Sequence, residues 1–356
     1  MLQLGWKAGT EQYAPEELLE YAVLAERAGF DSISASDHFH PWSEIGEACF
    51  VWTWLGAAAA KTRKITLGTG VTCPILRYHP AIVAQAAATL ACLAPGRSFL
   101  GIGTGESLNE YSATAQWPAY KYRQAQTAEA IELIRALWSG EKITHKGVYY
   151  QTRQARLYTL PKQSIPLYIS TMVPNSAQFA GQYGDGLVTV GGEEPETYRE
   201  IFANFEAAAQ NAGKEPKRMP RMIEIGVAYT DDEEKAVECR KKYWAGTFVP
   251  ALFTERIYTP KLSEENGKVV GANVIKEAVC ISADPNDHIE LARRYIDMGF
   301  DHLIFHSAGP DPRAFLEGYG RDVLPRLREA SRSKSAAASA SKPAPPDHNF
   351  IDEHNP

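Results

Sequence analysis

The chain has 356 residues, 44% hydrophobic and 22% charged, so it carries enough apolar material for one large core or two smaller ones and is not a disordered polymer. Its 37 Lys and Arg against 43 Asp and Glu give a formal charge of −6 without any basic stripe, which argues against a nucleic-acid partner. Five scattered cysteines form no CxxC pair, against both a disulfide framework and a structural zinc site, and no run reaches the roughly 18 apolar residues of a membrane span. With no basic-then-apolar leader at the start, the expectation is a soluble cytoplasmic protein acting on a small molecule.

In chain order, short β-branched or apolar runs predict strands at 3–7, 32–36, 65–71, 98–103, 167–171, 187–190, 223–229 and 302–306. Amphipathic or alanine-rich stretches alternate with them. In 15–28, Leu18, Tyr21, Ala22, Ala25 and Ala28 share one face behind Pro15, and Pro80 opens "AIVAQAAATLACLA". A junction recurs at 25–36 ("AERAGFDSISAS"), 180–190 ("AGQYGDGLVTV") and 295–307 ("YIDMGFDHLIFHS"): a helix end, a glycine, an aspartate, then an apolar run. That is the handover from a helix to the next parallel strand, and eight such strands suggest a (β/α)8 TIM barrel.

A doubly wound open sheet is the competing architecture. Its dinucleotide fingerprint belongs after the first strand, where "GWKAGTEQ" stands instead, and "GIGTGES" at 101–107 follows the fourth. Residues 246–275 break the alternation and predict a long irregular insertion shaping the substrate pocket. From Ser331 the chain turns to Ser, Ala and Pro, which predicts a barrel domain over 1–330 and a disordered tail over 331–356.

Barrel active sites gather at the carboxyl ends of the strands. After the second strand, "ASDHFHPW" (35–42) admits three readings: a zinc site on His38 and His40, an ordinary polar loop, or an acid/base set built from Asp37, His38, Trp42 and Glu106. The metal reading lacks further ligands, because the fifth strand ends in Ser170 and Thr171, the sixth in Val190 and the last in His306.

"SDHFHPW", "LGTGVTCPILRYHPAIVAQ", "GIGTGESLNE" and "RALWSG…KGVYY" together resemble the luciferase-like barrel enzymes that use the deazaflavin coenzyme F420. The resemblance is to the group of F420-dependent glucose-6-phosphate and secondary alcohol dehydrogenases, and it runs from Leu4 to about Arg328. It implies a catalytic set of His38, Trp42 and Glu106, with Asp37 as the partner of the histidine. It also implies a cofactor lining of Asp37, Thr69, Gly70, Val71, Thr104, Gly105, Glu106, Asn109, Ser170, Thr171, Met172 and Val173, and a non-prolyl cis peptide between Gly70 and Val71. Trp42, Ile225 and Trp244 would form an apolar substrate wall, no metal is implied, and relatives suggest a homodimer.

The sugar-phosphate branch of that group needs cations, but Glu193 and Glu277 stand near the expected lysine and arginine. At about 6 Å and an effective dielectric of about 20, each like-charge contact costs about 3 kcal/mol. A one-residue shift would bring Lys276 into play, and Lys261 and Lys268 are further cations in the insertion. His40, "TCPI" and "WAGTFVPALFTERIYTPK" resemble the alcohol branch, so the expected activity is hydride transfer between an alcohol, either secondary or an unphosphorylated polyol, and F420. The alternatives are a sugar-phosphate dehydrogenase, an FMN-dependent monooxygenase of the same barrel type, and a noncatalytic ligand-binding barrel.

Overall fold

The computed structural model describes residues 2–340. Eight parallel strands close into a barrel: β1 (Gln3–Ala8), β2 (Ser32–Ala35), β3 (Thr66–Thr69), β4 (Ser98–Ile102), β5 (Leu167–Ser170), β6 (Gly186–Val190), β7 (Arg221–Tyr229) and, after the short β8 (Cys280–Ser282), β9 (His302–Ser307). Closure comes from the β6–β7 pairing and from β9, which lies between β1 and β7. All eight sequence-predicted strands are present, to within a few residues at each end. β8 was not foreseen: three half-buried residues with no alternation pair outside the barrel with the overhanging end of β7.

Two of the three recurring junctions use their glycine as the left-handed cap, whereas Gly184 at the third is extended. Gly29 and Gly299 close their helices in the left-handed conformation, at φ 94° and 110°. The aspartate that follows then accepts a backbone N–H from a neighbouring strand, Leu4 for Asp31, Leu167 for Asp185 and Arg221 for Asp301. Helices ring the barrel, and their apolar faces join the outward-facing strand residues in one core.

Alternation along the strands sorts the barrel interior. Phe99, Val188, Met222 and Ile304 fill the floor, and Gly5, Gly68, Gly70 and Gly101 stand where any side chain would collide. A Cβ on Gly68 would lie 2.4 Å from the Phe99 ring.

Two expectations need correction. Residues 246–275 are not an irregular loop: a 3₁₀ turn (Ala245–Phe248) is followed by helices Ala251–Thr254, Pro260–Gly267 and Ala272–Ala278. The signal was present in Thr259-Pro260, since the Thr259 side chain caps the Leu262 N–H and Pro260 occupies the first turn. Nor does helical structure stop before Ser331, because the last helix runs from Leu324 to Ala340 through an alanine-rich segment of high helix propensity. The remainder of the expected tail, 341–356, lies outside the described residues.

Gly68→Ala should destabilise the barrel by about 1–3 kcal/mol through overpacking against Phe99. Urea unfolding with an unchanged m-value is the check.

Candidate active site

Three loops meet over His38. Glu11 follows β1, His38 and Trp42 follow β2, and Glu106 and Asn109 follow β4. His38 Nδ1 sits between the His40 carbonyl oxygen at 3.0 Å and the Asn109 amide nitrogen Nδ2 at 3.3 Å. Nε2 then faces two carboxylates, Glu11 Oε1 at 3.3 Å and Glu106 Oε2 at 3.6 Å. Trp42 lies beside the imidazole at 5.1 Å between ring centroids.

The two carboxylates differ in setting. Glu11 is 2% exposed and tied to Thr10, whereas Glu106 keeps 26% exposure at the start of helix Ser107–Thr114. Burial pushes the Glu106 carboxyl above its ordinary value of 4.5; His38 draws it back and Glu11 adds to the rise. Gly105, at φ 85°, sets up this turn, and a Cβ there would strike Cys73 and Glu110.

Asp37 is not the partner of His38. It faces the other way, where its carboxylate accepts from Thr72 Oγ1 (2.8 Å), Tyr78 Oη (2.9 Å) and Arg77 Nη1 (3.2 Å). Arg77 also meets Glu110, with Nε 3.6 Å from Oε1 and the backbone N–H 3.0 Å from Oε2. Burial raises Glu110 to about 7 despite Arg77. This buried set ties together the loops after β2, β3 and β4.

Asn109 braces the loop that carries His38. Its Oδ1 accepts the N–H groups of Phe39 (2.8 Å) and His40 (3.2 Å), and its Nδ2 lies 3.3 Å from Glu106 Oε2. Thr69 is likewise occupied, donating to the Gly101 carbonyl, and Thr171 shares a 2.6 Å contact with Ser176. The Gly70–Val71 peptide is cis. Thr104 gives its carbonyl to Arg123, while Ser170 is half-buried and Met172 and Val173 are exposed ahead of helix Pro174–Tyr183.

Of the expected substrate wall, Trp42 and Trp244 belong to one apolar cluster with Leu108, Ile257 and Ala308, and residues of the insertion cover it. Ile225 does not join them. It points outward into the helix-facing core, because Met222 and Glu224 take the inward positions of β7.

The sequence reading overlooked Glu11, although "GTEQ" directly follows the first strand and so lies on the same face. It also overlooked a charged layer below the mouth, where Glu224 meets Lys7 Nζ at 2.8 Å and His306 Nδ1 at 2.8 Å. Burial would raise Glu224, but these two groups hold it far below the carboxylate range. Among the described residues no group of three His, Cys, Asp or Glu could hold a metal ion, and no helix is long and apolar enough to cross a membrane. Two cavities, of about 250 and 570 Å³, lie around Pro161–Pro166 at the opposite end of the barrel, remote from this chemistry.

The family model of the luciferase-like monooxygenases matches residues 2–302. The chain belongs to that family. Among luciferase-like relatives, the F420-dependent glucose-6-phosphate dehydrogenase of Beutenbergia cavernae is 43% identical over 339 residues, covering 94% of this chain and all of the relative. The enzyme of the same name from Mycolicibacterium smegmatis is 41% identical over 332 residues, covering 92% and 98%. Among solved structures, an F420-dependent secondary alcohol dehydrogenase in complex with an F420-acetone adduct superposes with a TM-score of 0.88 at 39% identity, covering 92% of this chain and 99% of that one.

Two outcomes are expected of this luciferase-like site. Arg77→Met should cost about 3–5 kcal/mol by leaving Asp37 and Glu110 buried without their cation, measurable by denaturant unfolding. Glu106 holds its proton more tightly folded than unfolded, so its ionisation lowers stability as pH climbs above 4.5. Glu106→Gln should therefore melt near wild type at about pH 4 and gain on it towards about pH 7.

Proposed function

We propose that this chain is an F420-dependent oxidoreductase acting at the carbinol carbon of an alcohol. The observation that carries the reading is His38 Nε2, half-enclosed by Glu11 and Glu106, with Trp42 alongside. A base in that position takes the hydroxyl proton at Nε2, and the imidazolium so formed lies between two carboxylates that stabilise it. The His40 carbonyl and the Asn109 amide hold the Nδ1 side of the ring and so aim Nε2 at the mouth. Bound F420 would supply the hydride acceptor.

The residues present fit such a group. Trp42 Nε1 and Ser36 Oγ are buried at the mouth without hydrogen-bond partners, so polar atoms brought by a ligand would satisfy them. The exposed start of helix Pro174–Tyr183 suits an anionic side chain of the coenzyme. Ser170, Met172 and Val173 would line that arm.

An unphosphorylated alcohol is the substrate we favour over a sugar phosphate. Lys276 is paired with Glu233, Glu193 and Glu277 are exposed at the two places where cations were expected, and Lys261 and Lys268 lie on the surface. The names of the curated relatives support the phosphate alternative, and that of the superposed alcohol dehydrogenase supports ours.

The test is loss of the visible absorbance of oxidised F420 on mixing with isopropanol, neutral polyols or glucose 6-phosphate. His38→Ala should lower kcat about 100- to 10,000-fold while F420 still binds, read by cofactor fluorescence. Reduction with glucose 6-phosphate alone would overturn the substrate choice. Oxygen uptake that requires FMN, with no F420 reduction, would overturn the class.

A further inference from the structure

A guanidinium lies in the barrel mouth with its hydrogen-bonding capacity unmet. Arg240, on helix Glu233–Trp244, reaches across to β9 and places Nη1 3.4 Å from His306 Nδ1, with its charge over the rings of Trp244 and Phe248 at 5.6 and 5.5 Å. That ring nitrogen cannot accept from it. Glu224 Oε1 lies 2.8 Å from the same Nδ1, and since a carboxylate only accepts, Nδ1 must carry the proton and donate it to Glu224.

Arg240 is therefore left with an Nη1 facing another donor and a buried Nε without any partner. Glu224 attracts this charge from nearby, while the short contacts of its two oxygens go to His306 and Lys7. His306 has a complementary vacancy: its Nε2 is buried and unpartnered, and burial, followed by the nearby Arg240 charge, lowers the imidazole to about 4 and keeps it neutral. Nε2 is thus an acceptor without a donor, on the same imidazole that Arg240 approaches from its Nδ1 side.

The layer is reachable. Glu224 sits at an inward position of β7 yet keeps 22% exposure, so the mouth is open to solvent at this depth. It also adjoins the catalytic residues. The Trp244 ring packs edge-on against His306 at 4.4 Å, and a Cβ on Gly9 would lie 2.8 Å from Trp244 Cζ2 and 3.9 Å from Glu11 Oε2. One indole therefore spans the distance from His306 to the carboxylate that flanks His38.

We propose that Arg240 and His306 form a subsite for a carboxylate on the alcohol substrate, which makes the substrate a hydroxy acid. The guanidinium would hold the carboxylate, and His306 Nε2 would accept a hydrogen bond from a neighbouring hydroxyl or a bridging water. Charge selects a carboxylate over a phosphate. Within the layer Lys7 and Arg240 stand against Glu224, with His306 neutral, which suits a monoanion, and the Glu11 and Glu106 carboxylates beyond it oppose a dianion. This assignment rests on the dehydrogenase reading above and deepens it.

The experiment compares 3-hydroxybutyrate, its neutral analogue 2-butanol and glucose 6-phosphate as reductants of F420, in wild type, Arg240→Met and Arg240→Lys. A charge-assisted hydrogen bond of this kind corresponds to about tenfold to 100-fold in affinity. Wild type should show a KM for 3-hydroxybutyrate at least about tenfold below that for 2-butanol, Arg240→Met should abolish the difference and Arg240→Lys should retain part of it. A merely structural Arg240 would change both substrates alike, and that result, equal KM values in wild type, or preference for glucose 6-phosphate would overturn the subsite.

Tryptophan fluorescence titrated with 3-hydroxybutyrate gives a readout independent of turnover. A saturable change in wild type that is lost in Arg240→Met supports the subsite, and its absence in wild type counts against it. If no substrate reduces F420 while this titration saturates, the dehydrogenase reading falls and the carboxylate site stands.

Discussion

Because the eight strands hydrogen-bond in a closed ring, no sheet edge is left and the interior has to be filled or functional. Here it is divided by height. The floor is packed with Phe99, Val188, Met222 and Ile304 against glycines, whereas the level above holds Lys7, Ser34, Glu224 and His306. That division needs small residues on β1 to β4, since a Cβ at Gly70 would come within 1.9 Å of Ser34 Oγ. Polar groups buried in this way persist only if paired, and the Lys7–Glu224–His306 set satisfies most of them.

Above that layer, the loops at the carboxyl ends are held by buried carboxylates that face in different directions. Asp37 and Glu110 converge on Arg77 and brace three loops, whereas Glu11 and Glu106 converge on His38. Adjacent in sequence, Asp37 and His38 thus face separate partners, one bracing the loop and the other meeting the carboxylates of Glu11 and Glu106. Asn109 links the two by bonding the backbone of Phe39 and His40 while approaching Glu106. The imidazole is oriented from the backbone side and polarised from the carboxylate side.

The helices of 251–278 complete the enclosure. Ile257 packs against the cluster of Trp42, Leu108 and Trp244, Ser107 donates to the carbonyls of Glu255 and Ile257, and the His40 ring reaches the Tyr258 carbonyl. The region that varies most from a plain alternation of strand and helix thereby contacts the loops that carry the base. The same covering places Trp244 and Arg240, the residues of the proposed substrate site, on the helix that leads into it.

The sequence by itself determined the barrel. Short apolar runs, glycine caps and recurrent aspartates are local signals that need no partner to be read, and "ASDHFHPW" and "GIGTGES" with the resemblance they carry single out His38, Trp42 and Glu106. Which carboxylate serves His38 was decided only by tertiary structure, because Glu11 comes from another strand end and Asp37 turns away towards Arg77. So was the outward direction of Ile225, which depends on the inward pairing of Glu224 with Lys7 and His306. Ion-pair partners and the facing of a strand are properties of residues far apart in the chain, and a linear pattern records which groups are available but not which of them closure brings within 4 Å or so.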